Sequence, residues 1–337
     1  MLENMIKNKE HKKLYYYPPG EYGNPYSINF KRALSNYYDV MESDNAHPKY
    51  NMLGEYIFKR SFQAEIYIYN WIENIGDYKF PFIQWLFTIL AVIVIKMRGK
   101  KLIWMFHNIH PHNGVSFYSK TVSWLLFRFS SLIVSHSKDA AEYAKSKSSR
   151  QVVYRCHPIK AFDCKDLEYE GKIEQCDVLI WGSIIRYKGI AEFISLPEVQ
   201  QSNLRIRIIG KSSDKNLIDE IKKYCNERIV LDEKRASFGE IAAYCKSSKY
   251  VLFPYIGDCV SSSGALIDTI SMGGNPVGPN IGAFKDLNED GLCITYKSYQ
   301  ELLNILYDSV KIRKQKDFVP DNSWASFVGY LYKSINL

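Results

Sequence analysis

The sequence predicts an α/β protein with one parallel sheet in each half. Three observations carry that expectation. At 337 residues the chain is long for one core, and two domains of ordinary size are expected. Short apolar runs rich in β-branched and aromatic residues alternate with segments of helical period from one end to the other. A polar, irregular stretch, 157–174, divides that alternation into two series, as an interdomain linker would. Hydrophobic content of 46% and charged content of 24% are those of a globular protein.

The first series begins with a strand at 14–17. A loop rich in glycine and proline follows (Pro18, Pro19, Gly20, Gly23, Pro25), then a helix over 28–37 with Phe30, Ala33 and Leu34 inward. A glycine loop between the first strand and helix of an α/β domain faces a ligand, so Gly20, Gly23 and Asn24 are candidate contacts. The loop does not match G-x-G-x-x-G, and no dinucleotide is implied. The run 64–71 is a strand ending at Trp71, with Glu73 just past it. The run 80–95 carries no formal charge and is closed by Lys96, Arg98, Lys100 and Lys101. It is shorter than the roughly 20 residues a spanning helix needs. It is read as a crossover helix whose apolar outer positions and basic flank suit a membrane interface.

The strand at 101–106 runs into His107, Asn108, His110 and His112. Histidines at a strand end suit proton transfer to or from a substrate hydroxyl, with His107 best placed. No carboxylate or cysteine is spaced for a zinc site with them, so no metal is expected. A helix over 115–129, a strand over 131–135, a helix over 137–146 and a strand over 151–154 complete the series.

The second series has strands at 177–181, 204–209, 228–231, 250–253, 276–277 and 292–295. Helices at 214–226, 237–246, from Gly264 onward, and at 298–308 alternate with them, and an amphipathic helix at 323–335 closes the chain. Ser237 and Glu240 form a capping box. Past the first of these strands stand Gly182, Ser183, Arg186 and Lys188. Two cations there suit a diphosphate, arginine as a fork and lysine as a point charge. Past the strand at 250–253 come Pro254, Tyr255 and a polar loop ending in Ser262, Ser263 and Gly264 at a helix start. Unpaired N–H groups, the positive end of the helix dipole and serine hydroxyls suit the same anion. Asp268 follows one turn later.

Charge is unevenly placed. Net charge is +8, yet residues 1–158 hold 21 Lys and Arg against 12 Asp and Glu, while the remainder holds 23 against 24. One basic half suggests an anionic surface touched by that half alone. No zinc finger, RNA-recognition motif or basic recognition helix is present, so anionic lipid headgroups are favoured over nucleic acid. The seven cysteines form no C-x-x-C pair, which fits a reducing compartment. Met1 to Lys13 is charged and carries no signal-peptide pattern.

Four places resemble the GT-B-type, nucleotide-sugar-dependent glycosyltransferases, closest to the family 4-like enzymes of bacterial capsule and lipopolysaccharide synthesis. They are KLIWMFHNIHP, VLIWGSIIRYKG, PYIGDCVSSSGALIDTISMGGNPV and the closing helix with Trp324. The resemblance implies two Rossmann-like domains facing a central cleft, with a C-terminal helix crossing back to the first. The implied domains are 1–158 for the acceptor and the membrane, 159–318 for the donor, and 319–337 for the crossover helix. It implies a donor site of Gly182, Ser183, Arg186, Lys188, Tyr255, Ser262, Ser263, Gly264 and Asp268. It implies an acceptor site of Gly20, Gly23, Asn24, Trp71 and Asn108. Family members carry E-x7-E across the donor loop; here Asp268 stands for the second glutamate and Val260 occupies the first place, with Asp258 as a substitute. The candidate bases in the first domain are His107, Glu21 and Glu73, in that order, beside Arg186 and Lys188 as stabilisers of the leaving group.

The expected activity is transfer of a sugar from a UDP- or GDP-type donor to a lipid-linked glycan, with no cofactor and no nucleic acid. The expected location is the cytoplasmic face of an anionic membrane. An epimerase on the same fold and a non-catalytic membrane or nucleic-acid module are the alternatives.

Overall fold

A computed structural model describes residues 11–18, 24–41, 61–107, 109, 116–159, 164–257, 263–308 and 321–336. The chain forms two compact units, Met1–Cys156 with Trp324–Leu337, and His157–Ser323.

The first unit contains, in chain order, β1 (Lys13–Tyr17), α1 (Pro25–Leu34), β2 (Asp39–Met41), β3 (Ile66–Asn70), α2 (Pro81–Met97) and β4 (Lys101–Phe106). It continues with α3 (Phe117–Phe129), β5 (Leu132–Ser135), α4 (Lys138–Lys147) and β6 (Gln151–Tyr154). The strands pair in the order β2-β1-β3-β4-β5-β6, all parallel. Residues alternate between two buried faces, as a sheet covered on both sides requires. Tyr15, Tyr17, Tyr67, Tyr69, Trp104 and Phe106 meet Ala91, Val92, Val122, Leu126 and Ala140 of α2, α3 and α4. Leu14, Tyr16, Ile68, Ile103 and Met105 take the other face, with Phe30 and Leu34 of α1. Helix α1 starts at Pro25 rather than at 28, because the Asn24 side chain accepts from the Tyr26 N–H and Pro25 needs no donor there. The short edge strand β2 was not anticipated; three residues carry too little pattern.

The second unit holds β7 (Val178–Trp181), α5 (Ile190–Ile194), α6 (Pro197–Gln201), β8 (Ile206–Ile209), α7 (Lys215–Lys222) and β9 (Ile229–Asp232). Then come α8 (Phe238–Ser247), β10 (Tyr250–Leu252), α9 (Gly264–Ser271), β11 (Pro276–Pro279), α10 (Gly282–Glu289), β12 (Ile294–Tyr296) and α11 (Tyr299–Tyr307). The order is β12-β11-β10-β7-β8-β9, again parallel. Ser237 caps α8 by accepting from the Glu240 N–H, while the Glu240 carboxylate is held by Lys234 at 2.6 Å. Helices α5, α6 and α10 are too short for their period to show in the sequence.

The final helix, α12 (Trp324–Asn336), belongs to the first unit. It lays Trp324, Phe327, Val328 and Leu331 against the α1 face of the sheet. The two chain crossings between the units pair with each other: Ile159 lies beside Ser323, and the Ile159 N–H donates to Asn322 O at 2.8 Å. The expected linker therefore starts as a pairing segment.

Each sheet has one place where its growth reverses, between β1 and β3 in the first and between β7 and β10 in the second. Crossovers on either side of such a place leave by opposite faces and open a crevice past the strand ends. In the second unit that crevice is tightened by Gly189, at φ +64°, where an added Cβ would stand 2.1 Å from Pro254 O. We expect Gly189→Ala to lower stability by about 2 kcal/mol or more, through a left-handed backbone and a backbone clash together. Urea unfolding measures this, and an unchanged midpoint would contradict the close approach.

Candidate functional site

The crevice of the second unit is built from the ends of β7 and β10. Past β7 the chain turns at Gly182, φ +105°, and enters a short 3-10 turn, Arg186–Lys188. Past β10 it runs through Pro254 and Tyr255, with the Ile256 N–H donating to Tyr187 O at 2.9 Å. The two connections are thereby tied together. Lys188 reaches back into the crevice. Its Nζ is 3.2 Å from where a Gly182 Cβ would be, a position itself 4.0 Å from Ala265 Cβ in the first turn of α9. The ammonium also sits 5.7 Å from the Tyr255 ring centroid. Tyr255 OH and Ser263 Oγ are 3.1 Å apart, and Ser263 caps α9 by accepting from the Leu266 N–H. At Gly264 an added Cβ would meet nothing among the described residues within 4 Å.

Lys188 is only 8% exposed. Burial pulls its pKa down from the usual lysine value to about 8, and among the described residues no carboxylate counters that pull. The protein thus holds a desolvated cation beside a helix N-terminus, a small-residue floor and a phenol.

Arg186 stands differently. Its guanidinium is half exposed and is held by Glu220 at 2.7 Å and Glu192 at 3.7 Å. Glu220 keeps its pKa raised. Sequence spacing suggested a guanidinium–ammonium pair on one anion; in the structure the fork meets two carboxylates, Glu192 of α5 and Glu220 of α7. Ser183 is exposed and Asp268 is half-buried on α9. Ser262 and the substitute carboxylate Asp258 lie outside the described residues.

The first unit places a polar cluster at the ends of β1, β3, β4 and β5. The Asn70 amide donates from Nδ2 to Tyr17 O at 3.0 Å, bridging the two strands at which the sheet reverses. Its Oδ1 must then accept, so His107 donates Nε2–H to it at 3.1 Å. Trp71, in the left-handed region at φ 52°, stacks on His107 with centroids 4.4 Å apart and planes 14° apart. Tyr26 closes the cluster edge-on, 5.1 Å from the His107 ring. Next to it, His136 donates from Nδ1 to Arg155 O at 2.8 Å and accepts at Nε2 from Tyr26 OH at 2.8 Å.

His107 and Trp71, both expected, are therefore brought together. Asn70, Tyr26 and His136 were missed. One signal was available: Asn70, His107 and His136 each mark the polar end of an apolar strand run. Asn24, an expected acceptor contact, is occupied as the cap of α1. Gly20, Glu21, Gly23 and Asn108 lie outside the described residues, as do His110 and His112.

Glu73 is not part of this cluster. It lies in the 3-10 turn Ile72–Asp77, which packs on the α2–α4 face, and it accepts from the Trp104 indole at 3.3 Å. His107, stacked on Trp71, belongs to the opposite face with α1 and α12. Strand alternation separates the two candidates: Trp104 and Phe106 point one way, Met105 and His107 the other. Burial pushes the Glu73 carboxyl up to about 7.

No family model and no curated protein matches this chain. Solved structures do. HepE of Anabaena, in complex with UDP and glucose, aligns over 97% of both chains at 12% identity with a TM-score of 0.60. Sucrose-phosphate synthase from Thermosynechococcus elongatus aligns over 97% of this chain and 99% of its own, at 11% identity and a TM-score of 0.71. The lipopolysaccharide outer core galactosyltransferase WaaB, in apo form, aligns over 96% and 99% at 11% identity and a TM-score of 0.59. The chain has the GT-B fold that these likenesses share, two Rossmann-like units with parallel six-stranded sheets.

The buried ammonium carries a stability consequence. The unfolded chain holds the Lys188 proton up to the ordinary lysine pKa, whereas the folded chain releases it near 8. Stability therefore gains as pH rises from about 8 to the lysine value, and below that window the charge costs about 3 kcal/mol. Lys188→Met should raise the unfolding free energy at pH 7 by about 2–3 kcal/mol, with a smaller gain at pH 9.5. Urea titrations at the two pH values test this; a less stable variant would mean that Lys188 supports the fold.

Proposed function

We propose that this chain is a glycosyltransferase that moves a sugar from a UDP- or GDP-type donor to a lipid-linked glycan in surface polysaccharide synthesis. The observation that carries this reading is Lys188, a buried ammonium whose burial no carboxylate among the described residues counters, at the reversal point of the second sheet and beside the α9 N-terminus. A protein retains so costly a charge where a ligand supplies the opposite one. HepE was solved with UDP-glucose as well as with UDP and glucose.

In this reading the second unit binds the donor. The diphosphate lies on the first turn of α9, with Ser263 and Gly264 beneath it and Lys188 against its bridging side. Arg186 joins by exchanging Glu220 for a phosphate oxygen, an exchange that a solvent-exposed pair permits at little loss. Ser183, Gly182 and Tyr255 shape the pocket, and Asp268 reaches toward the nucleoside ribose. As the sugar–oxygen bond breaks, negative charge grows on the diphosphate. Fixed donors and cations there stabilise the transition state more than the ground state. The first unit takes the acceptor. His107, oriented through Nε2 by Asn70, receives the acceptor hydroxyl proton at Nδ1. Trp71 and Tyr26 offer aromatic faces to the glycan.

The lipid part of the proposal rests on α2. Its inward face is partly polar, with Gln84 and Thr88 fully buried. Its outward face is apolar: Phe82, Leu86, Leu90, Ile93 and Met97, spaced as one stripe, are between 42% and 82% exposed. A helix in water carries polar residues on that outer face. Between Lys79 and Arg155 the chain has twelve Lys and Arg against two acids. An apolar stripe among cations suits the headgroup layer of an anionic membrane. No described helix is long and apolar enough to cross a membrane. We place the protein at the cytoplasmic face of that membrane.

Two outcomes follow. UDP binding, measured by calorimetry, should be lost in Lys188→Met and should weaken about tenfold between pH 7 and pH 9 as the free ammonium titrates. With a lipid extract as acceptor, label from a UDP-sugar should then enter the organic phase; binding without transfer would leave the donor site but remove the reaction. Separately, Leu86→Asp with Leu90→Asp should abolish flotation with anionic vesicles while UDP binding persists. Equal flotation of variant and parent would remove α2 from the membrane.

A further inference from the structure

On the α2–α4 side of the first sheet lies a cavity of about 480 Å³, within the range of small-molecule sites. It is separate from the His107 cluster, which faces the other way. Its most buried lining residues are Glu73 and Phe106, each 3% exposed, and its most exposed aromatic is Trp124, at 63%. Phe127 and Tyr143 supply further aromatic wall, and Ser123 a hydroxyl. Lys120, Arg128 and Lys147 stand among the lining residues as cations, with Lys147 5.5 Å from the Tyr143 ring centroid.

The cavity is continuous with the apolar stripe. Along the outer face of α3 run Phe117, Lys120, Trp124 and Arg128, an alternation of aromatic and cation at helical spacing, all exposed. The Trp85 indole of α2 donates to Thr121 of α3 at 2.5 Å, and the Trp85 ring meets Phe82 and Phe117, each with centroids 5.8 Å apart. A surface that puts the α2 stripe into a bilayer puts Trp124 and the mouth of the cavity at headgroup depth, where such rings and cations reside.

We infer that this cavity receives the headgroup of an anionic phospholipid bearing hydroxyls, of the phosphatidylglycerol kind, and so reads the lipid on which the enzyme sits. Lys120, Arg128 and Lys147 take the phosphate; Glu73 and Ser123 take headgroup hydroxyls at the inner end; the acyl chains stay in the bilayer beside Trp124. A site for a bare phosphate would have no use for a buried carboxyl, and a site for an alkyl chain would have no use for one either. Near neutral pH, with its carboxyl held up to about 7, Glu73 can donate as well as accept a hydrogen bond. The inference rests on the membrane reading above and assigns it a chemical selectivity.

The test compares vesicles of phosphatidylcholine alone with others containing equal fractions of phosphatidylglycerol or phosphatidylserine. The full chain should bind both anionic kinds and should prefer the glycerol headgroup about fivefold or more. Ser123→Phe, which fills the cavity, and Glu73→Gln should each remove the preference while binding to both anionic vesicles remains. Soluble glycerophosphoglycerol, followed by its quenching of tryptophan fluorescence, should saturate the parent and not Ser123→Phe. Equal binding to the two anionic vesicles, with no response to the soluble headgroup, would overturn the inference and leave the membrane reading standing. Binding to no vesicle, with concentration-dependent dimerisation in the ultracentrifuge, would overturn both and assign the face to a second copy of the chain.

Discussion

A parallel strand can be followed by its neighbour only after a crossover, and the crossovers of a twisted sheet share one hand. Where a sheet stops growing toward one edge and starts toward the other, the two connections leave by opposite faces. In the first sheet that happens between Tyr17 and Asn70; in the second, between Trp181 and Leu252. The backbone groups at those strand ends lack a covering helix and need other partners. Asn70 satisfies one by donating to Tyr17 O. Its remaining oxygen then fixes how His107 sits. In the second sheet, glycines let the connections close on one another, with Gly189 under Pro254 O and Gly210 under Gly182 O. The space left over is where Lys188 lies. The chemistry-bearing side chains are thus consequences of where two sheets reverse.

That constraint also explains an energetic imbalance. A desolvated ammonium destabilises the free protein, and the surrounding groups do little to relieve it. The Tyr255 ring offers a π face, and its own phenol is held neutral by burial. Arg186, by contrast, already has its carboxylates. The two cations that look equivalent in the sequence therefore differ in kind. One is paired and exposed, and exchanging its partner changes little. The other is buried with no carboxylate among the described residues to counter it, which is the situation an anionic ligand would relieve.

Much of this was legible in the chain. The alternation of strand-like and helical runs specified two parallel sheets, and the strand ends marked His107, Trp71, Gly182 and Lys188. What could not be read was pairing across the sequence. Nothing around Arg186 announces Glu220 on a later helix, because the two meet only once α5 and α7 pack. Glu73 and His107 were both read as strand-end bases, His107 first; strand alternation, referred to the faces that α1 and α2 occupy, puts them on opposite sides. The partnership of Tyr26 with His136 was invisible because it spans 110 positions. Helices of five residues, such as α5 and α6, have no period to detect.

The run 80–95 posed the sharpest ambiguity, being too short to span a bilayer and too apolar for an ordinary surface helix. The structure resolves what the inward side does. Gln84 donates to Lys79 O at 2.6 Å and Thr88 to Gln84 O at 2.8 Å, so the buried polar groups are satisfied within the helix and its own N-terminal approach. Internal packing covers little of the outer stripe: Phe82 meets the Trp85 ring, yet Phe82, Leu86, Leu90, Ile93 and Met97 stay between 42% and 82% exposed. A pattern that internal packing does not require must answer to the surroundings of α2. Among surroundings, one that is apolar beside a layer of anions accounts for the stripe and the cations together.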